Sequence, residues 1–320
     1  MEKDIVWFDE RTRRFGKPDE QLGGSMKIRL ISGSVYVALL IVFYALKVLA
    51  HDLCFDLLIY AFALMGTFEI LRATEGKTTK AERGIVFAFS IGCIPACAVL
   101  EFYRQAGLQT AAAALFLLSV ALLALFVLRH EETTIENVGV SFLSATYPTL
   151  FLCVLALANH APALPALSAV AFNSDLLILF ILVISPFADS FAYLFGKFLR
   201  NKFPKKLAPN ISPNKTVVGG IGGLVGGLVG AIVLYFVYNA TVGSFENIGL
   251  WLSVYLAIGL LAAVATAFGD LVESCIKRKV GIKDMGNIMP GHGGVLDRID
   301  GTMFATVVVY LAFALVCLLA

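Results

Sequence analysis

Residues 269–300 read GDLVESCIKRKVGIKDMGNIMPGHGGVLDRID, and they concentrate charge of both signs in a chain that elsewhere avoids it. Asp270, Ser274 and Lys277 follow at intervals of four and three, so a helix would carry them on one face. Asp297 and Asp300 would share another face three residues apart, with Arg298 between them. Carboxylate oxygens are the hard donors that magnesium prefers, and magnesium borrows its remaining ligands from water and substrate phosphates. Lys277, Arg278, Lys283 and Arg298 would offset phosphate charge. Pro290, Gly291, Gly293 and Gly294 permit a tight backbone path with amides turned outward, which suits the approach of a phosphate. The pattern is that of phosphate-and-metal chemistry at a lipid interface. A simpler alternative is a helix end whose lysines reach lipid headgroups, and for Lys279 that reading is preferred. His292 could contact phosphate, act as an acid or base, or cap the turn, and its role stays open.

A second region, 186–216, adds Asp189 within an apolar segment and a proline-stiffened cationic loop. Asp189 serves either a site or a hydrogen bond between helices. Positive-inside bias alone explains part of the lysine content of the loop, so Lys215 alone is singled out there. Lys215-Thr216 is not part of a nucleotide P-loop, because no GxxxxGK precedes it.

The elements that must hold these residues are membrane helices. The 320 residues are 59% hydrophobic and 15% charged, against about a quarter charged in soluble domains. Nine apolar segments can be drawn, at 30–50, 53–71, 85–102, 110–129, 138–158, 174–199, 217–238, 248–268 and 302–319, each near the length needed to cross a hydrocarbon core. An all-α polytopic membrane protein follows. With the N-terminus in the cytoplasm, 23 of the 25 Lys and Arg residues fall on that side, leaving Lys47 and Arg104 opposite. Residues 1–29 read as a polar cytoplasmic tail without the apolar core of a signal peptide. Residues 30–172 read as about five N-terminal membrane helices, and 173–320 as a catalytic part of about four.

Six cysteines are scattered through the apolar runs. Cys93 and Cys97 share a helix face with no further soft ligand nearby in sequence, so buried free thiols are expected and no zinc site. Gly219, Gly223 and Gly227, with Gly222, Gly226 and Gly230 beside them, predict close helix packing, within one subunit rather than between two. Basic residues interleaved with aromatic ones are lacking, so nucleic-acid binding is not expected.

The charged stretches together resemble the phosphatidate cytidylyltransferase, or CDP-diacylglycerol synthase, family. Its signature S-x-x-K-R-x4-K-D, then P-G-H-G-G-x-x-D-R-x-D, is met by Ser274, Lys277-Arg278, Lys283-Asp284, Pro290-Gly291-His292-Gly293-Gly294, Asp297-Arg298 and Asp300. Recognisable similarity covers about 185–302. Phe191, Val217-Val218 and Gly301 depart from the usual glycine, Trp-Glu and serine. The resemblance implies transfer of the cytidylyl group of CTP to phosphatidic acid, giving CDP-diacylglycerol and pyrophosphate. It implies magnesium on Asp270 and Asp297, with a second cation left open, and a homodimer. The other positions it implies for substrate are Asp189, Ser212, Lys215, Ser274, Arg278, Lys283, His292, Gly293, Gly294 and Asp300, with Lys277 and Arg298 catalytic. A bacterial inner membrane with a cytoplasmic active site fits the short tail. A CTP-dependent lipid kinase of the dolichol type and an ion-coupled transporter are the alternatives.

Overall fold

The computed structural model describes residues 26–161, 173–243, 247–291 and 293–319. About 80% of the described residues are helical, and nine helices among them are long and apolar enough to cross a membrane. They are α1 (Met26–Leu49), α2 (Leu53–Ala73), α3 (Lys80–Arg104), α4 (Gly107–Leu128), α5 (Ile135–Asn159), α6 (Ser174–Leu199), α7 (Val217–Thr241), α8 (Ile248–Val280) and α9 (Leu296–Leu319). A hairpin of β1 (Lys206–Ala208) and β2 (Ser212–Thr216) joins α6 to α7. The tail at 1–25 lies outside the described residues.

The all-helical expectation holds. Two helices outrun their apolar segments, as the helical spacing of Asp270, Ser274 and Lys277 and of Asp297 and Asp300 expects. The eighth runs past 268 to Val280, and the ninth begins at Leu296, ahead of 302. Thirty-three residues make α8 about 50 Å long, well beyond the ~30 Å hydrocarbon core. Its last turns therefore lift Asp270 to Lys277 out of the apolar run without breaking the helix. Gly281 ends it at φ 73°, with the Ile282 amide donating to the Lys277 carbonyl, as a glycine-terminated helix does.

Large apolar side chains point outward: Leu49 is 83% exposed, Leu128 81% and Phe116 74%. That is the reverse of a soluble surface, and lipid is the solvent that makes it stable. Polar groups turn inward instead. Thr67, Ser90 and Thr149 are fully buried and join α2, α3 and α5 through hydroxyl contacts of 2.9 Å and 2.6 Å. Lys47, one of the two basic residues expected opposite the other 23, is neutralised by Asp52 at 2.5 Å. Pro95 interrupts α3 and has no N–H for the Ile91 carbonyl one turn earlier. The Tyr60 hydroxyl donates to that carbonyl at 3.3 Å, so the missing bond is replaced from α2.

Two compact units are each assembled from separated stretches. One takes in the described residues of Met1–Gly92, Ala114–Thr149 and Glu273–Ile299; the other comprises Cys93–Ala113, Leu150–Val272 and Asp300–Ala320. In the second unit the glycine lines of α7 lie against neighbouring helices of the same chain, as the spacing predicts. A Cβ at Gly226 would sit 2.5 Å from the Phe187 carbonyl on α6, and one at Gly227 would sit 2.7 Å from the Gly259 carbonyl on α8. Phe191, where the family usually has glycine, continues the α6 face and stacks between Phe187 and Phe195 with centroids 6.4 Å away on either side. Gly301 has an equally local reason, because a Cβ there would meet the Thr266 side chain at 2.7 Å. The serine usual at that position would not fit this crossing of α8 and α9.

Candidate active site

The hairpin is the first element of the site. Its ends are tied where the Val217 amide donates to the Lys205 carbonyl at 2.9 Å. Thr216 caps α7 through its hydroxyl, which accepts from the Gly219 amide at 3.1 Å. Lys215 is thereby held beside the start of α7, and its ammonium forms an ion pair with Asp270 of α8. The pair lines a cavity of about 590 Å3 within the second unit. Asp189 and Lys197 of α6, Arg200 at its C-cap and Asn214 of the hairpin supply further polar groups, and the remaining wall is mostly alanine and glycine. Close packing of small residues leaves room there for a ligand. Three of the expected residues, Asp189, Lys215 and Asp270, thus meet in one cavity, while Ser212 stands at the start of β2 and is absent from the lining. Lys197 and Arg200 were not expected as site residues; positive-inside bias was sufficient reason for them in the sequence.

The second element lies in the other unit, around the glycine-rich loop. Lys277 donates to Glu273 at 2.8 Å and to Asp297 at 2.7 Å, with the two carboxylate side chains 1% and 4% exposed. The other Asp297 oxygen, Oδ2, accepts the Met285 and Gly294 amides, each at 2.8 Å. Asp297 therefore ties together the end of the α8 connection, the glycine turn and the start of α9. Gly293 stands at φ 86°, and a Cβ there would press on the Asp297 carboxylate at 2.8 Å. Only glycine meets both conditions. The Met289 amide donates to the Gly293 carbonyl at 2.9 Å, and the Ser32 hydroxyl of α1 to the Pro290 carbonyl at 3.0 Å, fixing the rest of the turn.

Sequence reasoning missed Glu69. Its carboxylate, on α2 and 2% exposed, accepts the Val295 amide on one oxygen and the Leu296 amide on the other, both at 2.9 Å. These are among the first amides of α9, which have no partner inside the helix, and the positive end of the helix dipole favours an anion there. A Cβ at Gly286 or Gly294 would strike the same carboxylate, so the two glycines make its seat. The signal was available: an acid inside an apolar span is costly unless it is used.

The remaining residues sit nearby in sequence but differ in exposure. Ser274 is buried on α8, while Arg278, Lys283 and Arg298 are exposed. Asp300 accepts from the Gly301 amide at 2.7 Å at the start of α9. His292 lies outside the described residues. Asp270 belongs to one unit and Asp297 to the other.

Magnesium is the ion this donor set has to suit. Both acids offer the hard oxygens it takes. Asp270 keeps 35% of its side chain accessible in a cavity. Asp297 presents about four lone-pair sites and gives three of them to Lys277, Met285 and Gly294. Each acid by itself offers donors of the right kind, and Asp270 is the more open of the two.

Fold and site define a polytopic helical membrane protein that gathers cations, carboxylates and a rigid glycine turn at the ends of its spans. Residues 27–316 match the model of the cytidylyltransferase family, and the chain belongs to that family. It is similar to the phosphatidate cytidylyltransferase of Bacillus subtilis, 33% identical over 291 residues covering 91% of this chain and 98% of that one. It is also similar to that of Thermotoga maritima, 36% identical over 128 residues. The latter match spans 39% of this chain and 44% of the relative, so less than half of that protein's length is matched. A Helicobacter pylori phosphatidate cytidylyltransferase is 51% identical over 71 residues, 21% of this chain and 27% of its own. The resemblance extends well before residue 185, to which the motifs alone had confined it.

Proposed function

We propose that the protein is a phosphatidate cytidylyltransferase, converting CTP and phosphatidic acid to CDP-diacylglycerol and pyrophosphate. The observation that carries the reading is the cavity beside Lys215 and Asp270, which combines Lys197, Arg200 and Lys215 with a lining of alanine and glycine. That is the chemistry of a lipid phosphate whose chains stay in the bilayer. Lys197, Arg200 and Lys215 receive the phosphate of phosphatidic acid. Arg278, Lys283 and Arg298, exposed around the glycine turn, offset the charge of the nucleotide, with Arg suited to a two-pronged grip. A phosphatidate oxygen attacks the α-phosphorus, an O–P bond forms, and the bond from that phosphorus to the bridging oxygen breaks as pyrophosphate departs. The attacking oxygen is already ionised at neutral pH, so no side chain has to remove a proton. Positioning and charge neutralisation supply the rate. Lys277, fixed between Glu273 and Asp297, keeps the turn in register rather than acting as a loose counter-charge.

Asp270 and Asp297 would each offer a carboxylate to magnesium, which when bound neutralises phosphate charge and eases loss of pyrophosphate. The N-terminus and the site face the cytoplasm of a bacterial inner membrane, a reading supported by the lysine and arginine asymmetry and by the bacterial relatives. Pairing of two copies belongs to the same proposal. The test is purified protein with labelled CTP, phosphatidate and magnesium, following lipid product and pyrophosphate together. Asp270→Asn should abolish both signals while the protein stays folded. Release of CDP instead of pyrophosphate would overturn the reading in favour of a lipid kinase.

A further inference from the structure

Cys93 and Cys97 on α3 meet Cys153 on α5, and their three sulfurs lie within 4.8 Å of one another. All three thiols are free and 0–3% exposed. Two of them were expected on one helix face. The third comes from a span that sequence spacing cannot align with them. We infer that Cys93, Cys97 and Cys153 form a binding site for a trivalent thiophilic element, with arsenite as the ligand class.

The inference rests on donor number, geometry and charge. Three sulfurs bonded at about 2.3 Å to a common centre stand roughly 4 Å apart or less, a spacing that small side-chain rotations reach from the observed one. The donor set is entirely soft, which disfavours magnesium or calcium. Zinc in a closed site asks for a fourth ligand, and the cluster among the described residues has three. Charge decides further. The flanking Ile94, Ala98, Leu152 and Ala156 are buried, and Glu101, one turn beyond Cys97, places a carboxylate nearby where it accepts the Gly107 amide at 2.7 Å. A monovalent or divalent cation on three thiolates leaves net negative charge in that surrounding, which is costly. Arsenite, As(OH)3, leaves none. Three As–O bonds break and three As–S bonds form, each thiol proton departing with a hydroxide as water, and arsenic stays trivalent throughout. The ligand brings its own bases, so no protein base is required. Pro95, between Cys93 and Cys97, removes one rung of the α3 hydrogen-bond ladder at this level and gives the helix the slack to close on the centre.

The experiment uses the full chain in lipid nanodiscs, reduced and titrated with sodium arsenite. Arsenic retained per chain, the arsenic X-ray absorption spectrum and the thermal midpoint are measured. One arsenic per chain, three sulfur neighbours and a rise in midpoint are expected, since binding to the folded state alone stabilises it. Cys93→Ser, Cys97→Ser and Cys153→Ser should each weaken retention by about a hundredfold, a direct ligand mattering at least as much as the ~10–100-fold of an outer partner. A variant with Cys54, Cys275 and Cys317 all changed to serine should bind as the parent does. Should a serine variant fail to insert, the corresponding alanine variant replaces it, and the spectrum of the unaltered protein decides independently. No retained arsenic, two sulfur neighbours instead of three, or retention unchanged by loss of any of the three cysteines overturns the site.

Discussion

Replacing Glu69 by Gln tests whether a side chain on α2 sets the geometry of the glycine turn. In the parent protein one carboxylate serves two buried amides, at Val295 and Leu296. The glutamine keeps one acceptor oxygen and turns an NH2 group toward the other amide. One charge-assisted bond, worth about 1.5–3 kcal/mol, is lost and a buried donor is left facing a donor. The remaining bond becomes neutral and weaker. A loss of about 2–4 kcal/mol in the ordering of this junction is expected, which lowers the population of the fixed turn by roughly 30- to 1000-fold relative to its open forms. Turnover should fall by up to that factor, the whole of it being reached where fixed and open turns are already near balance in the parent, with a rise in KM for CTP. Hydrogen exchange at Val295 and Leu296 should quicken while amides of α6 and α7 stay unchanged. The combination matters, because general destabilisation would quicken all of them. Parent-like turnover with unaltered exchange at the two amides would refute the reasoning.

Other outcomes follow from the same structure. Lys277→Met leaves the buried Glu273 and Asp297 carboxylates without their shared cation and should cost about 3–5 kcal/mol, read as a lower thermal midpoint in detergent. Gly226→Val should separate α6 from α7 and reduce the yield of folded protein, whereas Gly220→Ala, whose Cβ would meet nothing closer than Leu207 at 3.7 Å, should be tolerated. Single cysteines placed at Lys77 and Arg104 in a chain stripped of its natural cysteines should label from opposite faces of the membrane. Labelling from the same face would remove the orientation argument.

Membrane architecture was legible because hydropathy is a local property, and each span carries its own. The signature at 274–300 was legible for the same reason: its residues are close in sequence. What escaped is what depends on distant helices. Glu69 reaches amides 226 and 227 positions away, and Cys153 approaches Cys93 and Cys97 from another span; neither has a periodicity to betray it. The continuation of α8 to Val280 was legible for a different reason, the spacing that put Asp270, Ser274 and Lys277 on one helix face. Charge ends an apolar run but not a helix, since Glu, Lys and Arg are good helix formers. The glycine turn shows a further limit. Its composition suggested outward-facing amides, yet those of Gly294, Val295 and Leu296 are held by the protein's own carboxylates.

The hydroxyl bond from Tyr60 to the carbonyl that Pro95 leaves bare makes two remote positions a single inherited choice. Change the tyrosine to phenylalanine and a polar oxygen is stranded in oil; change the proline to alanine and the tyrosine loses its only described purpose there. Lineages that drift at either position should drift at both, and chimaeras that take the two helices from different parents should fold poorly even where every other contact is preserved.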